Sequence, residues 1–300
     1  MSHYDQLFQS PQHVMQALDG VDYLCDEAIA TACFLAGSMA RPLYLEGEAG
    51  VGKTSLAHGV SRAFGLTVYR LQCYEGIDIT QALYDWDFRK QLLFLKSHEN
   101  GEQAHSGQSQ DLYDRRFLVE RPILKAFEHS PCILLIDEID RADDEFEAFL
   151  LEALSEFSIT IPEFGTIRPK IPPLVFLTSN RTREIHDALK RRCLYHWMEH
   201  PSRDKELSIL HRKYPRISQL LAHDLVAAVQ HMRHAGLLKS PGVAETLDWA
   251  NALDKLDVKA LDHRVMDLTL GAVLKYREDQ DQIRQDGYAS VMPRRNQESA

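Results

Sequence analysis

Two short segments, "CILLI" (132–136) and "LVFLT" (174–178), are apolar along almost their whole length and lack the alternation of a strand with one wet face. Such strands are buried on both faces, the signature of a parallel sheet covered by helices on either side. The surrounding pattern agrees. "PLYLEG" (42–47), "LTVYRLQC" (66–73) and "CLYHWMEHP" (193–201) predict further strands. Helical spacing appears between them in "DEAIATACFLAGSMARP" (26–42), "KTSLAHGVSRAFG" (53–65), "RPILKAFEHSP" (121–131), "DDEFEAFLLEALSEF" (143–157) and "REIHDALKRR" (183–192). The helix after the 132–136 strand is expected to bury Phe146, Phe149, Leu150, Ala153 and Phe157, with Asp143 and Asp144 as its solvated start. Strands alternating with helices predict an α/β fold.

After Pro201 the pattern changes to helical segments, such as "ISQLLAHDLVAAVQHMRHAG" and "VAETLDWANALDKL", with no strand. The expected division is an α/β core over 1–201, an all-α domain over 202–278 and a polar, flexible tail over 279–300. The polar stretch 97–114 predicts a surface loop.

Composition narrows the classes. A chain of 300 residues with 44% hydrophobic and 26% charged residues is that of a soluble globular protein. The net charge of −10 repels nucleic acid and anionic membrane overall. Basic turns at "HRKYPR" (211–216) and "PRRN" (293–296) read as solvated. Five scattered cysteines (Cys25, Cys33, Cys73, Cys132, Cys193) show no metal spacing and are expected to be reduced. No apolar run approaches the ~20 residues needed to span a bilayer. The N-terminus carries no signal-peptide layout, so the expected compartment is the cytoplasm.

Gly47-Glu48-Ala49-Gly50-Val51-Gly52-Lys53-Thr54 matches G-x-x-x-x-G-K-[ST], with a strand before and a helix after. The glycines let successive N–H groups face one anion, and the helix N-terminus adds partial positive charge. Lys53 is placed for the outer phosphates of a nucleoside triphosphate, Thr54 for Mg²⁺, and Ser55 for a neighbouring contact. This explains why the 132–136 strand runs into two adjacent acids. Asp137 is the expected second magnesium-site residue, a Walker B carboxylate, and Glu138 the base that polarises the attacking water. A helix N-cap pair is the structural alternative for these acids. Asn180, ending the 174–178 strand, is expected to orient the lytic water, although Thr-Ser-Asn is also an ordinary strand exit. Arg192, or its neighbour Arg191, reads as an arginine finger offered to a neighbouring subunit. The alternative is a basic last turn that suits the helix dipole.

In this order the pieces resemble an AAA+ ATPase of the MoxR group over residues 5–278. The strings "RLQCYEGID", "RADDEFEAFLLEALSEF", "TSNRTREIHDALKRRCLYHW" and "SPGVAETLDWANAL" are closest to the CoxD-like branch. "YRLQCYEGIDITQALYDW" is similar to the segment after the second strand of that group. "FGTIRP" is similar to the hairpin that the group inserts before sensor 1. The resemblance implies a P-loop AAA+ core with a small all-α lid, using ATP and Mg²⁺ and assembling as a ring, commonly a hexamer. It implies a maturation chaperone for a client metalloenzyme, partnered by a protein with a von Willebrand factor A domain, with no membrane or nucleic acid. It places Tyr84, Trp86 and Phe88 on an inserted helix facing the ring pore, where they contact a client or simply pack. One departure stands out: the lid reads Ser240-Pro241-Gly242-Val243-Ala244-Glu245, without the arginine that serves as sensor 2 in the group. Lys239 is the nearest cation. The rival readings are a DNA-associated AAA+ loader and a nucleotide-binding scaffold that hydrolyses weakly. A small-molecule kinase shares the P-loop but has no use for Arg192 in trans.

Overall fold

A computed structural model of the chain describes residues 3–98, 112–162, 164–288 and 291. Nine strands are present among them: β1 (Leu43–Gly47), β2 (Val68–Gln72), β3 (Tyr84–Trp86), β4 (Leu118–Glu120), β5 (Ile133–Asp137), β6 (Ile159–Ile161), β7 (Gly165–Ile167), β8 (Leu174–Ser179) and β9 (Leu194–Met198). Five of them form one sheet in the order β2-β5-β8-β1-β9. The β2·β5, β5·β8 and β8·β1 pairs are parallel. β5 and β8 are buried at every position, as an all-apolar strand requires when helices cover both faces. The order is functionally informative, because β8 lies between the strand that enters the glycine-rich loop and the strand that ends in Asp137.

The chain divides into two compact units: residues 1–21, 25–46 and 54–197, and residues 22–24, 47–53 and 198–300. The C-terminal break between the units falls at Met198, near the expected 201. The glycine-rich loop, expected in the α/β core, groups instead with the C-terminal helices.

In the first unit, local chemistry sets the helix ends. The Asp26 carboxylate accepts the Ile29 N–H at 2.9 Å and starts the helix Glu27–Ser38. Asp143 accepts the Phe146 N–H at 2.9 Å and starts the helix Asp144–Glu156. That helix buries Phe146, Leu150 and Ala153 fully, and Phe149 and Phe157 only in part. β6 and β7 form an antiparallel hairpin ahead of β8, where the resemblance of "FGTIRP" implies one.

The segment around Tyr84 corrects the sequence expectation of a helix. Only Ile79–Ala82 is helical, and Tyr84–Trp86 pairs antiparallel with Leu118–Glu120. Extended backbone suits the aromatic side chains. Tyr84 and Trp86 pack against the core cluster, and Trp86 meets Tyr113 edge-on at 5.2 Å. Phe88 alone of the three is exposed, at the start of the helix Phe88–His98. The rest of the polar 97–114 stretch up to residue 111 lies outside the described residues.

The second unit holds the helices Arg203–Lys213, Gln219–His234, Val243–Lys255, His263–Val273 and Arg277–Asp286. Trp249 is fully buried among them and donates its indole N–H to Thr269 at 2.8 Å. The last helix corrects the expectation of a flexible tail from 279. Ile283 is buried, and the Asp279 carboxylate accepts the backbone N–H groups of Leu238 (2.7 Å) and Lys239 (3.2 Å). The "PRRN" stretch lies outside the described residues.

The polar centre of this unit is Glu206, whose side chain is 1% exposed and whose partner Arg233 is 5% exposed. The two groups pair fork to fork at 2.7 and 2.8 Å. Gln230 and Thr246 add donors to the same carboxylate at 2.8 and 2.6 Å. Arg233 Nε also donates to the Pro241 carbonyl at 2.7 Å, which fixes the turn before the helix Val243–Lys255. Removing one partner leaves an uncompensated buried charge, so Arg233→Ala is expected to cost about 3–5 kcal/mol. Urea denaturation followed by circular dichroism measures it, and a loss below about 1 kcal/mol would show that Glu206 needs no cation.

Candidate functional site

In the second unit, the loop after β1 takes a shape that only glycine permits. Gly50 (φ +81°) and Gly52 (φ +103°) occupy the left-handed side of backbone space, closed to most L residues. At Gly47 the constraint is proximity, since a Cβ there would lie 2.3 Å from the Met198 carbonyl oxygen. The Lys53 side chain is 7% exposed. It donates from Nζ to the carbonyls of Gly47 and Glu48, both at 2.7 Å. Glu48 is exposed and meets His200 Nε2 at 3.0 Å. Ala49, Val51 and Ser55 lie on the same loop and the first turn of the following helix, with Ser55 exposed.

The same loop meets the start of the helix Val243–Lys255, within the second unit. The Val243 N–H donates to the Gly50 carbonyl at 3.1 Å. A Cβ on Gly242 would lie 2.8 Å from both the Ala49 oxygen and Gly50 Cα. Glu245 folds back so that Oε2 accepts the Gly242 N–H at 2.9 Å. The segment that lacks a sensor 2 arginine therefore presents the Gly242 backbone and the Glu245 carboxylate to the loop. Lys239 is exposed.

In the first unit, Asp137 ends β5 with its side chain 4% exposed. Its Oδ1 accepts the Thr54 hydroxyl at 2.9 Å and the Thr178 hydroxyl at 2.5 Å. Its Oδ2 accepts Arg70 Nε at 3.0 Å and Nη2 at 2.5 Å. Thr178 also accepts the Glu138 N–H at 3.0 Å, so one hydroxyl fixes both acids. Glu138 adopts φ 56° and ψ 50°. A left-handed non-glycine costs on the order of 1–3 kcal/mol and recurs at functional sites. Its side chain pairs with Arg141 at 2.8 Å. Neither acid caps the helix Asp144–Glu156, because Asp143 does so. The N-cap alternative for this pair is not realised.

Asn180 follows β8, half-buried, and donates its backbone N–H to Asp140 Oδ1 at 3.3 Å. Asp140 is 2% exposed and also accepts the Thr182 N–H (2.8 Å) and hydroxyl (2.7 Å). It ties the exit of β8 to the exit of β5. Buried Glu147 does similar work one turn on, pairing with Arg183 and accepting the His186 N–H at 2.6 Å. Arg191 and Arg192 end the helix Asp187–Arg192, both exposed. The Arg41 guanidinium holds that end, donating to the carbonyls of Arg191 (2.8 Å), Arg192 (3.1 Å) and Cys193 (3.2 Å). It satisfies carbonyls that the helix cannot.

Thus the first unit brings Thr54, Asp137 and Glu138 together around Thr178, with Asn180 tied to the next turn. Arg191 and Arg192 stay on the surface. Sequence reasoning missed Thr178, Asp140, Arg41 and the role of Gly242. Of these, only the third acid of "DEID" carried a local signal. Hydroxyl and carboxylate oxygens converging at Thr54 and Asp137 are the hard donors that Mg²⁺ prefers. Cysteine chemistry is absent here. Burial pushes the Cys73, Cys132 and Cys193 thiols up to about 12, far from thiolate at neutral pH. Elsewhere, Glu120, Glu128 and His129 approach one another, but Arg115 already bridges the two glutamates.

The Gly50–Gly242 approach is directly testable. Gly242→Ala forces the glycine-rich loop to shift, because the atoms it meets are backbone. It is expected to weaken nucleotide binding at least tenfold, about 1.4 kcal/mol. Titration with a fluorescent ATP analogue checks this, with circular dichroism reporting an intact helical unit.

A family model described as "ATPase family associated with various cellular activities (AAA)" matches residues 43–198. No curated protein matches the sequence. Among solved structures, the chain is similar to a mutant of Thermotoga maritima RuvB, with 16% identity and a TM-score of 0.48, covering 87% of this chain and 69% of that one. It is also similar to the Thermotoga maritima RuvB Holliday junction branch migration motor, with 16% identity and a TM-score of 0.47, covering 81% of this chain and 66% of that one. Because the family match spans more than half of the sequence, from the strand entering the glycine-rich loop to the end of β9, the chain belongs to the AAA ATPase family.

Proposed function

We propose that this chain hydrolyses ATP as a ring of identical subunits and uses the cycle to remodel a client protein. The observation that carries this reading is the Asp137–Glu138 pair. One acid is buried and shares its Oδ1 with Thr54, and the next is held in a left-handed conformation by Thr178. Two neighbouring acids in such different environments suit two different tasks.

In this reading the backbone N–H groups of Gly47–Lys53 cradle the phosphates and Lys53 exchanges its two carbonyl partners for phosphate oxygens. Bound magnesium supplies charge neutralisation at the terminal phosphates, and Thr54 and Asp137 are the residues that would hold it. Glu138 polarises the attacking water and Asn180 orients it. Arg192, ahead of Arg191, reaches the nucleotide of the adjacent subunit, which is why a surface position is useful. Residues 202–278 act as the lid. Its signal to the nucleotide passes through the Gly242 backbone in place of a sensor 2 arginine.

The hairpin β6–β7 ahead of β8 supports assignment to the MoxR group, and the strings "RLQCYEGID" and "TSNRTREIHDALKRRCLYHW" favour its CoxD-like branch. That assignment makes the protein a maturation chaperone for a metalloenzyme, acting with a von Willebrand factor A domain protein. Among the described residues no helix is long and apolar enough to cross a membrane.

Steady-state turnover tests the enzymatic core. Lys53→Ala is expected to lose nucleotide binding, whereas Glu138→Gln keeps ATP and stops hydrolysis. Retained turnover in Glu138→Gln would remove that residue from the mechanism. Arg192→Ala is expected to bind ATP normally and to turn over roughly 10³–10⁵-fold more slowly. Mixing it with Glu138→Gln protein is expected to restore part of the rate in hybrid rings, and failure at every ratio would rule out a finger acting in trans. Capture of partners on ATP-loaded Glu138→Gln protein tests the chaperone role. Recovery of DNA instead of a metalloenzyme subunit or a von Willebrand factor A protein would favour a loader.

A further inference from the structure

Asp137 accepts four hydrogen bonds, and the mechanism above uses only the side that faces the hydroxyls of Thr54 and Thr178. The other side belongs to Arg70. Gln72 lies opposite Asp137 across the β2·β5 pair, so Arg70 starts two residues back and reaches forward along its own strand. Its Nε and Nη2 both end on Oδ2, at 3.0 and 2.5 Å, and Nη2 is also held by the Gln72 side-chain oxygen. Glu138 does not share this cation, since its partner is Arg141.

The pair is asymmetric. The Arg70 side chain is 48% exposed and that of Asp137 is 4% exposed. A guanidinium so placed returns to water by rotating about its own stem. The carboxylate cannot follow it and cannot stay buried without a positive partner. A second cation arriving at the same carboxylate is repelled by the first, more strongly there than in bulk water.

We propose that Arg70 is a built-in counter-ion that competes with the divalent cation for Asp137 and so sets the magnesium concentration at which the nucleotide site loads. This rests on the reading of Thr54 and Asp137 as the metal-holding pair. Without metal the guanidinium holds the Asp137 carboxylate in a fixed rotamer. When metal and nucleotide arrive, Arg70 releases Oδ2 and turns outward, with Gln72 as its remaining anchor. Arg70 is a positioning residue for Asp137 and contacts neither phosphate nor water in this account.

The test uses full-length protein in the Glu138→Gln background, so that nucleotide is not consumed. Binding of a fluorescent ATP analogue is followed while Mg²⁺ is titrated. Arg70→Ala is expected to lower the half-saturating Mg²⁺ concentration roughly tenfold, as removal of a charge-assisted competitor predicts. Arg70→Lys keeps the charge but loses the fork, and should fall between the two. Thermal unfolding gives a second readout: Arg70→Ala melts below its parent in chelator, and the gap closes once Mg²⁺ and nucleotide are added. An unchanged or raised half-saturating concentration overturns the proposal, since Arg70 would then be a structural pair or a support of the metal site. If the parent protein binds the analogue with no magnesium dependence, the metal-site reading itself fails. That result is visible before any Arg70 variant is measured.

Discussion

A buried carboxylate at the end of an apolar strand is the constraint around which the α/β unit is arranged. Asp137 is delivered by β5 into a position where water cannot satisfy it, so the fold must bring donors from elsewhere. They come from three elements: Thr54 on the helix after the glycine-rich loop, Thr178 on β8, and Arg70 on β2. This set depends on the strand order, because β5 has β2 on one side and β8 on the other. Asp140 and Glu147 repeat the device on the exits that follow. Each is a buried acid joining the segment after β5 to the segment after β8. The turns that leave β5 and β8 are thus tied to each other by buried side-chain acceptors.

The C-terminal unit solves a different problem, how a helix without a cation at its start stays registered on the glycine-rich loop. Two glycines, Gly50 and Gly242, allow the backbones to approach until Val243 donates to Gly50. The buried Glu206–Arg233 pair fixes the turn from behind through the Pro241 carbonyl. A buried ion pair gives little net stability against an apolar replacement, yet it specifies geometry strongly because neither partner tolerates loss of the other. Here the geometry specified is the position of Gly242.

Where the sequence misleads, the cause is local. "DITQALYDW" begins with a proper cap, as the Asp78 side chain accepts the Gln81 N–H at 2.9 Å, but the helix stops after one turn. Pairing with Leu118–Glu120 and burial of Tyr84 and Trp86 outweigh helix propensity there, and the partner strand is remote in sequence. The tail beyond Arg277 looks polar because only one face of its helix is apolar, with Ile283 as the anchor. A single buried isoleucine among charges gives too little periodicity to detect.

The sequence by itself determined the parallel sheet, the glycine-rich loop and the acids of "IDEID". These are encoded in contiguous runs whose pattern reflects local rules: period of burial, glycine conformations, strand-to-helix exits. It also located the hairpin before β8 and the basic turn at Arg191 and Arg192. Only the tertiary structure decided which side chains serve those acids. Arg70, Thr178 and Arg41 are unremarkable in their own segments, and their partners lie far along the chain or on another strand. The grouping of Gly47–Lys53 with helices that begin after residue 198 was equally hidden. Sequence patterns report what a residue does for its own element. Which distant group compensates a buried charge is settled by packing.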